Sequence, residues 1–184
     1  GETASRLLQR VKSIYRYAVN HERIDSNPMI DLMPGELLKP RDVVNRLALP
    51  ERELPTFLSK LDKYEGDPSV VAALRLLILT AARPGEVRGA RWDEVDLEAA
   101  VWIVPADRMK MRTEHRVPLS RQAVEVLRDM HQISGARELV FPSPRYPGKP
   151  ISDGAFNSAL TRMGYKGVAT SHGFRALFST MANE

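Results

Sequence analysis

Thr80-Ala81-Ala82-Arg83-Pro84-Gly85-Glu86-Val87 lies where one helical pattern stops and another begins. Upstream, residues 69–82 are apolar nearly all round, the pattern of a helix at the centre of a core. Pro84 cannot continue that helix, because it lacks an N–H and its ring clashes with the preceding turn. Its fixed φ suits the first position of a new helix, read here as running through Arg91. Arg83 is therefore expected at a junction deep in the fold, with Glu86 three residues on and able to orient or neutralise it. Taken alone, the pair fits a buried structural ion pair as well as a functional arginine.

Outward from this junction the helical patterns dominate. Pro50 opens a helix through about Lys63, with Leu54, Phe57, Leu58 and Leu61 on its inner face. Gly66-Asp67-Pro68 forms the turn and cap of the central helix. Beyond the junction the period changes: Val101-Trp102-Ile103-Val104 reads as a strand, and Arg116-Val117-Pro118-Leu119 as its return across a charged turn. Helices resume at 120–134, at 152–163 and from Ser171 onward, with the proline-rich stretch 141–150 between the first two. Near the start, Leu7, Leu8, Val11, Ile14, Tyr15, Ala18 and Val19 recur at helical spacing over 3–20, giving an amphipathic helix. Residues 28–49, with Pro28, Pro34, Gly35 and Pro40, read as a connector, and a domain boundary is placed near Leu49. The fold class is mainly α with a small antiparallel β-sheet.

Two further groups carry chemistry. His172 and Arg175 are three apart on one helix, so both side chains leave the same face; Ser171 is the candidate N-cap, and Gly173 would admit a close backbone approach. By itself a His-x-x-Arg pair also fits a satisfied surface or core pair. A second histidine at metal spacing is missing here, so no metal site is expected. Lys110 lies at the tip of the hairpin within Arg108-Met109-Lys110-Met111-Arg112. Basic tips are commonly just solvated, but this one could reach a nucleic-acid backbone and donate to phosphate or to a leaving oxygen.

Composition narrows the class. Lysine and arginine number 27 against 23 acidic residues, a net charge of +4 that suits a polyanionic partner without demanding one. With no cysteine, disulfides, thiolate metal sites and cysteine nucleophiles are excluded. No apolar run approaches the roughly 20 residues of a membrane helix, and the start lacks a signal-peptide pattern, so a soluble intracellular protein with no membrane partner is expected.

In their order and intervals these pieces resemble the tyrosine recombinases, particularly the integrases of phages and genomic islands. Residues 80–87 look like the family's first arginine box, and Ser171-His172-Gly173-Phe174-Arg175 matches its second. Between them, Trp92-Asp93-Glu94-Val95-Asp96-Leu97, Trp102-Ile103-Val104-Pro105, the Arg108–Arg112 run and His115-Arg116-Val117-Pro118-Leu119-Ser120 are similar to the sheet and lysine hairpin. Tyr17-Ala18-Val19 followed by Asn27-Pro28 looks like the last helix of the core-binding domain. The resemblance implies that 1–49 end that domain and provide the linker, and that 50–184 form a catalytic domain without its C-terminal part.

It also implies site-specific DNA recombination through a 3′-phosphotyrosyl link, with no cofactor. Arg83, Lys110, His172 and Arg175 would be catalytic, Glu86 supporting, and Arg108, Arg112 and Arg116 DNA-binding. Implied partners are double-stranded DNA attachment sites, three further copies in a tetramer on DNA, and DNA-bending or directionality proteins. The setting would be the nucleoid of a bacterial cytoplasm. The family's later box, ending in the tyrosine nucleophile, belongs a few dozen residues after Arg175, whereas nine residues follow it here. Tyr15, Tyr17, Tyr64, Tyr146 and Tyr165 all lie elsewhere, so no nucleophile is assigned in this chain and these residues alone are expected to be inactive in strand cleavage. The alternative is a non-catalytic DNA-binding or assembly module with a recombinase-like fold.

Overall fold

The computed structural model describes residues 2–33, 35, 47–109 and 112–183. The chain divides into two compact units, Gly1–Asn45 and Arg46–Glu184.

In the first unit, α1 (Glu2–Asn20) is strongly amphipathic. The expected apolar face is only half-covered: Leu8, Val11 and Tyr15 are partly buried, whereas Leu7 and Ile14 are exposed. The helix ends at Asn20, Glu22 just beyond it takes a left-handed φ of 52°, and Asn27 Oδ1 accepts the Met29 N–H at 2.9 Å to form the next turn.

The second unit begins earlier than the sequence boundary suggested. Leu49 is 2% exposed and belongs to the core, so the last residues of the expected connector are packed into this unit. A 3-10 turn at Glu51–Glu53 leads into α2 (Leu54–Asp62), with Phe57 and Leu61 buried. Asp67 caps α3 (Pro68–Thr80) by accepting the Ser69 N–H at 3.0 Å. α4 (Pro84–Arg88) comes next, one turn shorter than expected, since Gly89 ends it.

The sheet is antiparallel, with order β1 (Val95–Asp96), β2 (Val101–Val104), β3 (His115–Pro118). The short β1 was not anticipated; two residues carry too little periodicity to read. Trp102 faces Val95 on one side and Val117 on the other, and with Val104 it points into the core. α5 (Arg121–Ser134) is capped by Ser120 Oγ, which accepts the Ala123 N–H at 3.2 Å; α6 (Ala155–Arg162) and α7 (Gly173–Met181) complete the unit.

α3 packs against α4, α5, α6 and α7, which accounts for its apolar composition. It is not sealed on every side: Val71, Ile78 and Leu79 stay half-buried along an apolar groove of about 1080 Å³ shared with Leu177 and Phe178 of α7.

Candidate active site

The arginine junction is built by a strained turn. α3 stops at Thr80, and Ala81 adopts the left-handed conformation (φ 50°, ψ 20°), in which its N–H still bonds the Leu77 carbonyl at 3.1 Å. A non-glycine residue pays roughly 1 kcal/mol or more for this geometry. The result is a reversal that lets Arg83 leave in an extended conformation (φ −72°, ψ 144°), as a residue before proline must. Glu86, 7% exposed, then takes both the Arg83 N–H (2.9 Å) and Arg83 Nη1 (2.6 Å) on its two carboxylate oxygens. The Arg83 side chain is 41% exposed, so it lies at the rim of the fold and not deep within it as the sequence suggested. One edge of the guanidinium is held by Glu86 while much of its surface meets solvent.

α7 brings the second group to the same junction. Arg175 is exposed, and its Nη1 donates to the carbonyl of Ala81 at 2.6 Å, two residues before Arg83. His172 is the N-cap residue of α7, with helical dihedrals (φ −74°, ψ −24°), and is itself exposed. Ser171 is not the side-chain cap: it is buried, with its N–H on Asn157 Oδ1. Thr170 takes that part, its Oγ1 accepting the Gly173 N–H at 3.2 Å. Threonine is also a capping type, though ranked below serine, and the backbone path selects between them here.

The start of α7 is clipped to the segment before α2. The Leu47 carbonyl accepts from both the N–H and the hydroxyl of Thr170, at 3.0 and 3.1 Å. A Cβ on Gly173 would stand 2.1 Å from that carbonyl oxygen and 2.8 Å from the Cα of Ala48, so glycine is required by a real backbone approach. No sequence signal marked Leu47, because it contributes through its backbone alone.

The hairpin arginines divide. Arg112 and Arg116 are exposed, with Arg116 in a loose 3.6 Å pairing with Glu114. Arg108, expected on the DNA face, instead turns inward: its guanidinium pairs with the buried carboxylate of Glu94 and donates to the Glu86 carbonyl at 3.1 Å. Lys110 lies outside the described residues. On either side of it Met109 is buried and Arg112 has φ 51°, with the Arg112 N–H bonded to the Met109 carbonyl at 3.0 Å. Tyr165 is 4% exposed, with its ring against Phe57 (5.1 Å) and beneath Lys60 (4.8 Å), a setting that shields its hydroxyl from any substrate.

Taken together, two arginine-bearing junctions meet, one through Glu86 and one through the Ala81 carbonyl. Such forks can hold the non-bridging oxygens of a phosphate. Comparison with known proteins gives this geometry a family. Residues 48–184 match the model of the phage integrase family. The chain is 44% identical over 183 residues to the prophage integrase IntZ of Escherichia coli K12, covering 100% of this chain and 44% of that protein. It is 43% identical over 190 residues to the integrase of Enterobacteria phage P4, covering 96% and 43%. The chain thus spans less than half the length of these relatives. Among solved structures, the Tn1549 transposon integrase in complex with a circular intermediate DNA superposes with a TM-score of 0.79 at 18% identity, over 99% of this chain and 67% of that one. A lambda integrase dimer bound to a COC′ core site gives 0.66 at 20% identity, over 92% and 62%. The fold is that of the tyrosine recombinase catalytic domain, and the chain belongs to the phage integrase family.

Proposed function

We propose that these residues form the phosphate-binding part of an integrase that carries out site-specific DNA recombination through a 3′-phosphotyrosyl intermediate. The observation that carries this proposal is the Arg175 guanidinium on the Ala81 carbonyl, two residues from an Arg83 already braced by Glu86. Two arginines fixed around one backbone turn are preorganised for the charge that grows on the non-bridging oxygens of a pentacoordinate phosphate.

In the proposed reaction a tyrosine oxygen attacks the DNA phosphorus, the bond to the 5′ oxygen breaks, and that oxygen leaves as a hydroxyl. Lys110 supplies the leaving oxygen's proton, and His172 hydrogen-bonds the phosphate and manages the proton of the nucleophile. Arg83 and Arg175 bind the non-bridging oxygens, while Glu86 holds Arg83 without reacting. Phosphate bond energy is kept in the covalent link, so religation needs no nucleotide. Arg112 and Arg116 contact the flanking DNA backbone. The partner is double-stranded DNA at attachment sites in a bacterial nucleoid; strand exchange would involve a tetramer on DNA with bending or directionality proteins. Residues 1–49 would contribute the end of the core-binding domain and the linker.

A suicide duplex that traps covalent intermediates tests the assignment. The 184-residue chain is expected to bind it without forming a covalent adduct, and a longer chain carrying the tyrosine is expected to form one. An adduct on the 184-residue chain would refute the placement of the nucleophile, and its absence from the longer chain would refute the recombinase assignment.

A further inference from the structure

Arg108 opens the basic run at the hairpin, yet its side chain is only 19% exposed and that of Glu94 only 5%. Burying such a pair costs desolvation on both partners, so its worth lies in fixing one arrangement more than in adding stability. Glu94 is itself fixed: its carboxylate also accepts the Trp102 Nε1–H at 3.1 Å and the Arg91 backbone N–H at 3.2 Å. Through the other arm of its fork, Arg108 Nη2 reaches the carbonyl of Glu86. That Nη2 would be 2.8 Å from a Cβ at position 89, so the guanidinium lies on the bare backbone of Gly89.

Glu86 is thus engaged at both ends. Its carboxylate braces Arg83, and its carbonyl is held by the residue that leads into the turn 109–112. We infer that the Arg108–Glu94 pair is a positioning device that locks the chain at Met109 to α4, fixing where Arg112 stands relative to Arg83. Arg108 does not contact DNA phosphate. The inference rests on the proposed engagement of a DNA phosphate by Arg83.

The sign of a charge effect separates positioning from direct contact. Glu94→Gln, Arg108→Ala, Arg108→Lys and the double variant Glu94→Gln/Arg108→Ala would be compared in the 184-residue chain by fluorescence anisotropy on a duplex oligonucleotide across salt. Amide hydrogen exchange without DNA would be measured alongside. If the pair positions the turn, Glu94→Gln weakens binding by about tenfold although it makes the protein more positive. Arg108→Ala would weaken it similarly with no change in salt slope, and the double variant would be no weaker than the worse single one. Arg108→Lys, which keeps the charge but loses the fork, would fall with them, and exchange at the Arg112 amide would accelerate in all four.

Unchanged or tighter binding by Glu94→Gln overturns the inference, as does a salt slope reduced by about 0.9 in Arg108→Ala, the signature of one lost phosphate contact. Unchanged exchange at Arg112 overturns it too. Wild-type protein that shows no salt-dependent DNA binding would refute the functional proposal instead, and the exchange data would still decide whether the pair holds the turn.

Discussion

Arg175 and Tyr165 mark opposite fates for a polar side chain. Arg175 is exposed and makes its described contact with a backbone carbonyl, so Arg175→Ala should lose at most about 1.5 kcal/mol of stability and keep the fold. Its DNA affinity should nevertheless fall by about tenfold, as thermal melts paired with anisotropy would show. Tyr165 is buried, and its hydroxyl finds no hydrogen-bond partner among the described residues. Burial first, and the charge of Glu53 second, push its phenol above the ordinary value of 10. In the unfolded chain the phenol ionises first as pH rises past 10. The unfolded state then holds fewer protons than the folded one, and stability falls. Tyr165→Phe should be neutral or stabilising by up to about 1 kcal/mol near neutral pH, because it removes an unsatisfied buried group. It should also flatten the loss of stability above pH 10; a melting series against pH that keeps its slope would contradict this.

At the scale of elements, the N-terminus of α7 depends on close packing against Leu47. Gly173→Ala places a methyl carbon 2.1 Å from a backbone oxygen, and neither backbone can yield without breaking the Thr170 clip. The expected cost is about 1–3 kcal/mol by denaturant unfolding, together with weaker DNA binding because His172 and Arg175 ride on this turn. How much of each element was legible depended on its own length. The central helix, the first residues after Pro84 and the strand at 101–104 were readable because their signals are local. The end of α4 at Gly89, the two-residue β1 and the choice of Thr170 over Ser171 as cap were not: a lone glycine is a weak stop signal, two residues carry no readable period, and the cap is selected by the backbone path that Leu47 clips.

For the whole molecule the net charge of +4 is modest, so the proposed DNA binding would have to come from charge placed on one surface. Affinity for duplex DNA should fall linearly in log–log form with salt, and the combined Arg112→Ala and Arg116→Ala change should flatten that slope by about 1.8. A titration insensitive to salt would count against a DNA-binding surface. The sequence by itself determined which chemical groups are available, their order, and the mainly helical class with a small sheet, because side-chain periodicity and proline placement act over a few residues. Only the tertiary structure decided that Arg175 meets the turn before Arg83, that Leu47 clips α7, and that Arg108 faces inward to Glu94. Each of these contacts joins segments far apart in the chain, and an arginine's direction is chosen by whichever buried acceptor the packed fold presents to it.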